Sequence, residues 1–147
     1  MQDLLYFFNH NLLLVLAWLG VFICLIALQI RIKFYGPEPL STSSLVQLVN
    51  YEEALLYDLR PATEYSKGHI SQAKNYQFSS INDSNLLVKK ITSELKSKDK
   101  PVILVCKDGI KSNQEAFKLK SAGLKKVGYL KGGMQSWQAE SLPTVND

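Results

Sequence analysis

The sequence is poor in residues that bind metals or form disulfides, since its 147 residues include only two cysteines and two histidines. Cys24 lies within a long apolar run and Cys106 lies far along the chain, so we expect no disulfide between them. Neither cysteine belongs to a cluster with the spacing of metal ligands, so the sequence implies no metal and no cofactor. This use of cysteine is typical of a reducing compartment.

Lys and Arg are absent from the first ten residues, which contain one acidic residue, Asp3. A cleaved signal peptide would begin with basic residues and end at small ones. Residues 29–33, with the sequence Gln-Ile-Arg-Ile-Lys, form a poor cleavage site. The sequence therefore favours an uncleaved anchor over a signal peptide.

Clustered positive charge is also absent. The formal net charge is +4, and the basic residues are spread along the chain without interleaved aromatic residues. This pattern does not predict a protein that binds nucleic acid. Attraction of the domain to an anionic membrane surface is as plausible an explanation of the mild positive charge as binding to nucleic acid.

A long apolar run occupies residues 12–28, where every residue is apolar or glycine. With its flanking residues it reaches the ~20 residues that a hydrocarbon layer of ~30 Å requires. We therefore predict a transmembrane span at residues 11–30, within an anchor of residues 1–33. Arg31 and Lys33 follow the span. Because basic residues are retained on the cytoplasmic side, the domain that follows should face the cytoplasm.

One soluble domain is predicted after the anchor, since roughly 110 residues remain, which is enough for one core. Residues 34–40 contain Gly36 and two prolines, and we predict that they form a short, stiff linker. The domain should then occupy residues 41–147. Its serines at the start are candidate N-caps for a short helix over residues 45–49.

Short apolar runs alternate with helical patterns in the predicted domain. Three runs are typical of buried strands in a parallel sheet: residues 54–58, 101–105 and 126–130. Residues 85–95 and 112–122 carry apolar side chains at helical spacing, and Gly123 is a candidate C-cap. The alternation predicts an α/β domain in which helices flank a central parallel sheet.

Cys106 directly follows the second predicted strand, and a helix is predicted from Ser112. Ligands of α/β folds bind at this carboxyl edge of the sheet. Gly109 lets the intervening loop curl so that several N–H groups point at the sulfur, and the helix N-terminus adds partial positive charge. Lys107 and Lys111 add formal charges. These features favour a thiolate nucleophile for sulfane sulfur over an inert buried cysteine.

Four segments of the sequence resemble the rhodanese homology domain in that family's order and spacing. They are Asp58-Leu59-Arg60-Pro61-Ala62-Thr63-Glu64-Tyr65, Gly68-His69-Ile70 with Ala73 and Asn75, the loop that begins at Cys106, and Leu130-Lys131-Gly132-Gly133-Met134 with Trp137. The similarity covers residues 41–143. Within the family, the chain looks most like the bacterial single-domain, membrane-anchored members of the YibN type.

The resemblance implies the rhodanese fold and a catalytic cysteine at Cys106 whose persulfide is bound by the amides of residues 106–111. It implies a sulfurtransferase without a cofactor, with thiosulfate or a persulfide as donor and a thiol or a protein as acceptor. The substrate-binding residues would be those that follow the cysteine: Lys107, Asp108, Gly109, Ile110, Lys111 and Ser112. The bacterial inner membrane is the implied location, where membrane proteins are candidate partners.

The chain departs from the family pattern at Lys111, where many members carry arginine. Lysine supplies the positive charge without the planar, two-pronged donor of a guanidinium group. The orientation of a planar or sulfonate-like donor, and so the donor's identity, stays open.

Asp58 and Arg60 have a structural and a functional interpretation. Arg60 precedes Glu64 by four residues, a spacing that brings side chains together on a helix, and we expect a structural ion pair here. The alternative is that Asp58 or Arg60 lines the mouth of the active-site pocket.

Three other features are interpreted as structural. His69 belongs to a family segment that packs, so we do not expect it to act as a general base. Gly132 and Gly133 lack the context of a nucleotide-binding loop and predict a tight turn before the last helix. Four lysines form a solvated face or, alternatively, a docking site for an acidic acceptor protein: Lys118, Lys120, Lys125 and Lys126.

Two other functions compete with sulfur transfer. A phosphatase of the cysteine-loop class would need arginine at the end of the loop to clamp phosphoryl oxygens, but Ser112 occupies that position. A non-enzymatic, membrane-tethered docking module with the rhodanese fold does not need the loop cysteine, which this chain has at position 106. Since fold does not fix function, the docking module remains the alternative.

Overall fold

The computed structural model describes residues 10–77, 83–95 and 100–146, with the backbone alone at residues 31–35 and 83. The chain divides into two compact units, one ending at Gly36 and the other beginning at Pro37. Within its described residues, the first unit contains a long helix. The second contains a sheet and the helices that cover it.

Helix α1, Leu12–Tyr35, accounts for most of the part of the N-terminal unit that the structure describes. Its segment Leu12–Ile30 is long and apolar enough to cross a membrane, and none of that segment is buried in the structure. At about 1.5 Å per residue, a helix of this length suits a hydrocarbon layer of about 30 Å. The predicted span at residues 11–30 therefore corresponds to a candidate span by length and composition.

The second unit is built on a five-stranded sheet in which all neighbouring strands are parallel. The strands are β1 Glu38–Leu40, β2 Leu55–Asp58, β3 Lys74–Asn75, β4 Val102–Val105 and β5 Val127–Leu130. Their order is β1-β5-β4-β2-β3, so β4 is central. The helices are α2 Thr42–Tyr51, α3 Ala62–Tyr65, α4 Asp83–Glu94, α5 Ile110–Ser121 and α6 Gly133–Ala139. The predicted α/β fold is confirmed.

The central strand β4 is buried on both faces. Val102, Leu104 and Cys106 belong to a core cluster shared with α4 and α5. Ile103 and Val105 belong to a second cluster, shared with α2 and α6. Because successive side chains of a strand point to opposite faces, Cys106 continues the alternation beyond the end of β4. Burial on both faces also explains why this strand is a continuous apolar run in the sequence.

The linker predicted at residues 34–40 is wrong at both ends, and only Gly36 and Pro37 connect a helix to a strand. Helix α1 extends into this segment, and Glu38–Leu40 form strand β1, which pairs with β5. Pro39 has no N–H group to donate, but β1 is an edge strand, where proline is tolerated. Leu40 packs against Gly128 of β5, where an added Cβ would lie 2.8 Å from Leu40 Cδ1. The chain therefore enters the sheet directly after Pro37.

The other predicted elements correspond to elements of the structure, with shifted ends. The three predicted strands form β2, β4 and β5, and the predicted helices form α2, α4 and α5. Ser41 caps α2, since its hydroxyl accepts from Ser44 N at 3.1 Å. Strand β3 has only two residues, and neither is apolar, so no apolar run in the sequence predicts it.

Glu94 at the end of α4 connects that helix to β2 and β3 by hydrogen bonds. Its carboxylate accepts hydrogen bonds from the Tyr57 hydroxyl at 2.6 Å and from the Lys74 ammonium group. The bond from Lys74 and then that from Tyr57 hold the pKa of Glu94 below its ordinary value. Burial, followed by the bond to Glu94, raises the pKa of Tyr57, so its hydroxyl stays protonated at neutral pH.

We expect acid to destabilise the wild-type protein more than the Glu94→Gln variant. A carboxyl group whose pKa is lower in the folded state stabilises the fold above its unfolded pKa and loses that contribution as the pH falls through the folded pKa. The decrease in Tm between neutral and acidic pH, measured on the full chain in detergent micelles, should therefore be smaller in Glu94→Gln. Glu38→Gln, at an exposed position of β1, is the control. Equal decreases in wild type and Glu94→Gln would contradict this prediction.

Candidate active site

Cys106 directly follows β4 at the carboxyl edge of the sheet. The residue is buried, with 4% of its surface exposed. Strand β2 ends in register with β4, with Asp58 opposite Val105. The ends of these neighbouring strands thus meet where α/β folds bind their ligands.

The sulfur of Cys106 receives two backbone N–H donors. Gly109 N lies 3.2 Å from Sγ, and Ser112 N lies 3.4 Å from it. As a thiol, Cys106 donates to Ser112 Oγ at 3.3 Å or to Asp108 Oδ1 at 3.6 Å. Both N–H donors lie where α5 begins, so the partial positive charge of the helix N-terminus adds to them. The arrangement is suited to binding a negatively charged sulfur atom.

Gly109 allows the loop to curl around the sulfur. Its φ is +86°, and a Cβ atom there would lie 2.9 Å from Gly132 N and 3.0 Å from Leu130 O. A side chain is therefore disfavoured both by the backbone conformation and by the space available. The Ser112 hydroxyl donates to Gly109 O at 3.0 Å and closes the curl on the other side.

Asp108 is the acidic residue of the loop. Its Oδ1 accepts from Ile110 N at 3.0 Å. That bond is the main cause that lowers the pKa of Asp108, and the charge of Lys107 contributes further. The carboxylate is therefore ionised at neutral pH and held beside the sulfur by the backbone.

A second segment, residues 131–135, packs against this loop, and we call it the bracing segment. Met134 N donates to Cys106 O at 2.9 Å, and Gln135 N donates to Lys107 O at 3.1 Å. Gly133 has a φ of +58°, and a Cβ atom there would lie 2.3 Å from Cys106 O. The tight turn predicted at Gly132 and Gly133 is therefore also the support of the cysteine loop.

Sequence reasoning missed the roles of Met134 and Gln135. The available signal was positional, because Gly132 and Gly133 follow β5, and β5 is the neighbour of β4. Of the predicted loop residues, Asp108, Gly109 and Ser112 contact the sulfur. The other three, Lys107, Ile110 and Lys111, are exposed.

Asp58 and Arg60 form a buried ion pair. Arg60 Nη2 lies 2.6 Å from Asp58 Oδ2, and only 6% of Arg60 and 1% of Asp58 are exposed. Arg60 Nη2 also donates to Gly68 O at 2.8 Å. The structural interpretation fits these contacts better than the pocket-mouth alternative. Arg60 thus pairs with Asp58 rather than with Glu64. The helical spacing does not apply to Arg60, because α3 begins only at Ala62.

His69 is also buried and packed. Its ring stacks on Tyr65 with the centroids 3.7 Å apart, and Nδ1 is 3.0 Å from Tyr65 O. Its backbone pairs with Val145. These contacts agree with the packing role expected of it.

Two lysines of the predicted solvated face form ion pairs. Lys118 pairs with Glu115 at 2.8 Å, and Lys126 pairs with Glu52 at 3.4 Å. In the described ranges, no group of three or more His, Cys, Asp or Glu residues could hold a metal ion.

A cleft of about 640 Å³ lies at the opposite edge of the sheet from Cys106. Glu38, Val102 and Val127, which begin β1, β4 and β5, line it. Because the strands are parallel, their first residues share the amino edge. This cleft is therefore separate from the cysteine loop.

The family model of the rhodanese-like domain matches residues 41–140. The chain belongs to the rhodanese-like domain family. YibN of Escherichia coli K12 is 31% identical over 146 residues, which cover 99% of this chain and 98% of that protein. The thiosulfate sulfurtransferase GlpE of Coxiella burnetii is 30% identical over 93 residues, which cover 63% of this chain and 79% of that protein.

Solved structures share the rhodanese fold with this chain. A thiosulfate sulfurtransferase of Pseudomonas aeruginosa superimposes with a TM-score of 0.62 at 18% identity, over 75% of this chain and 19% of that protein. The Alr3790 protein of Anabaena superimposes with a TM-score of 0.61 at 25% identity, over 74% of this chain and 82% of that one. The resemblance drawn from the sequence motifs is confirmed at the level of family and fold.

Gly133→Ala should destabilise this rhodanese-like domain much more than Gly123→Ala does. Both glycines have positive φ, but a Cβ atom at Gly123 meets nothing within 4 Å, whereas one at Gly133 collides with the carbonyl of Cys106. We expect a loss of about 1 kcal/mol at Gly123 from backbone strain and at least about 3 kcal/mol at Gly133 from strain plus collision. Urea unfolding of the full chain in detergent micelles measures both. Equal losses would show that the bracing segment tolerates a side chain.

Proposed function

We propose that this protein is a membrane-anchored sulfurtransferase that carries sulfane sulfur as a persulfide on Cys106. The observation that carries the proposal is the pair of N–H donors from Gly109 and Ser112 to Sγ, at the N-terminus of α5. Donors fixed in this way bind an anionic sulfur without any cofactor. The rhodanese-like family includes sulfurtransferases, which supports the same conclusion.

The reaction proceeds in two displacements. The thiolate of Cys106 attacks the outer sulfur of the donor, a new S–S bond forms, and the donor's own bond to that sulfur breaks. The leaving group departs with the bonding electron pair, as sulfite from thiosulfate or as a thiolate from a persulfide. An acceptor thiolate then attacks the outer sulfur of the Cys106 persulfide and releases the Cys106 thiolate.

The surroundings of the loop suit anionic reactants in general. Lys107, Lys111 and Lys131 are exposed near the cysteine, the first two within its loop and the third in the bracing segment. Charges on exposed side chains attract anions over a distance set by the ionic strength. Lys111 acts as a point charge, so it attracts a donor without imposing the planar geometry that arginine imposes. Thiosulfate, a persulfide and a thiol or protein acceptor are the reactant classes we propose.

Incubation with a sulfane donor should add about 32 Da, the mass of one sulfur atom, to Cys106. We expect the adduct in wild type and in Cys24→Ser, which keeps the loop, but not in Cys106→Ser. Mass spectrometry of the intact chain, followed by peptide mapping, measures the adduct. A subsequent thiol acceptor should remove it.

The same variants separate the enzyme from the docking module. If neither thiosulfate nor an organic persulfide adds sulfur to Cys106, the sulfurtransferase proposal is wrong. Full complementation of a deletion phenotype by Cys106→Ser would favour a docking function that does not use the cysteine.

We further propose that α1 anchors the protein in the bacterial inner membrane with the rhodanese-like domain in the cytoplasm. The segment Leu12–Ile30 has the required length and composition. Arg31 and Lys33 follow it, and the first ten residues contain no Lys or Arg. Basic residues on one flank of a span are retained on the cytoplasmic side. Membrane proteins of the same bilayer are therefore candidate partners.

A protease added outside intact spheroplasts should leave a C-terminal epitope tag uncut and should remove it after lysis.

Alkaline carbonate should fail to extract the protein from membranes, because an apolar span stays in the bilayer. Replacing both Arg31 and Lys33 by glutamate should make the orientation mixed, so that part of the tag is cut outside. A tag cut fully in intact spheroplasts of the wild type would reverse the proposed orientation.

A further inference from the structure

The carboxylate of Asp108 is fixed beside the reacting sulfur. Asp108 Oδ1 is 3.6 Å from Cys106 Sγ and accepts from Ile110 N at 3.0 Å. The second contact restrains the side chain, because the backbone donor belongs to the first residue of α5. The carboxylate is therefore part of the geometry of the loop, although the side chain is solvent-accessible.

Asp108 is also the only charged group among the hydrogen-bond partners that the structure describes for this sulfur. The others are the backbone of Gly109 and the backbone and hydroxyl of Ser112. Nearby, Asp58 and Arg60 neutralise each other in a buried pair. The N–H dipoles of the loop thus favour one negative charge at the sulfur. The carboxylate of Asp108 places a second negative charge beside it.

We infer that Asp108 determines which sulfur donors Cys106 accepts, by disfavouring dianionic donors such as thiosulfate relative to monoanionic donors of similar size. This inference rests on the proposed sulfur transfer and specifies its substrate class. A donor with one extra negative charge meets an extra repulsion from the Asp108 carboxylate when its outer sulfur reaches Sγ. The exposed lysines attract both donors at long range, whereas Asp108 acts at contact distance.

Thiosulfate and methanethiosulfonate form a matched pair of probes for this repulsion. In both, the Cys106 thiolate forms an S–S bond with the outer sulfur, and the bond between that sulfur and the oxidised sulfur breaks. Sulfite leaves from thiosulfate and methanesulfinate leaves from methanethiosulfonate, each with the bonding electron pair. The chemistry is the same, and the donors differ by one unit of charge.

Asp108→Asn is the decisive variant, because the amide oxygen can still accept from Ile110 N while the charge is removed. We expect the ratio of kcat/KM for thiosulfate to that for methanethiosulfonate to rise about tenfold, as removal of one like charge within a few ångströms implies. Glu53→Gln is the matched control, since it removes one charge from an exposed residue that precedes β2, at the opposite edge of the sheet. It should leave the ratio unchanged.

Alkylation provides a measurement that does not depend on sulfur transfer. In the full chain with Cys24→Ser, Cys106 is the only cysteine. We expect the ratio of its alkylation rate with anionic iodoacetate to its rate with neutral iodoacetamide to rise severalfold in Asp108→Asn. Only iodoacetate is charged, so only its reaction is slowed by repulsion from the carboxylate. Asp108→Ser should produce the same change if the charge, rather than the amide, is responsible.

The outcomes separate this inference from the proposed function. If both donors load sulfur on Cys106 and neither ratio changes in Asp108→Asn or Asp108→Ser, the role of Asp108 is overturned and sulfur transfer stands. If neither donor loads wild-type Cys106, the proposed sulfur transfer from these donors fails, and the alkylation ratio alone decides whether Asp108 controls charge selectivity. A ratio that changes equally in Glu53→Gln would assign the effect to net charge and overturn the inference.

Discussion

Two backbone hydrogen bonds, from Met134 and Gln135 to the carbonyls of Cys106 and Lys107, hold the cysteine loop against the end of β5. With these carbonyls directed toward α6, N–H groups later in the loop are left to face the sulfur. The contact is possible because Gly133 and Gly109 have no side chains at the points of closest approach. The chemistry proposed for Cys106 therefore depends on packing between two loops that are adjacent only because β4 and β5 are neighbours in the sheet.

Backbone and side chains both contact the sulfur of Cys106: the N–H groups of Gly109 and Ser112, and the side-chain oxygens of Asp108 and Ser112. Backbone donors are fixed by the fold and cannot be removed by a change of side chain, whereas the exposed side chains of Lys107 and Lys111 make no hydrogen bond to the sulfur that the structure describes. The charged side chain that contacts the sulfur, Asp108, is negative, and the exposed side chains of Lys107 and Lys111 are positive.

Much of the fold was predictable because β2, β4 and β5 bury both faces and so appear as apolar runs. The position of Cys106 was predictable because a strand, a glycine-containing loop and a helix follow in order. Strand β1 was not, since Pro37 and Pro39 suggest a linker, and Pro39 is tolerated within the strand only because β1 lies at the sheet edge. The partner of Arg60 was mistaken because the sequence does not show that α3 begins after Pro61. The bracing segment depends on a contact between distant residues, which local patterns do not encode.

Strand β1 has a practical consequence for any attempt to separate the domain from helix α1. The family model begins at residue 41, but the sheet begins at Glu38. A fragment cut at residue 41 would lose a whole edge strand and leave the N–H and C=O groups of β5 open to pairing with another molecule. It would also lose the carbonyl of Leu40, which accepts from Lys131 N at the start of the bracing segment. Aggregation of such a fragment would reflect where it was cut rather than an intrinsic need for the lipid bilayer.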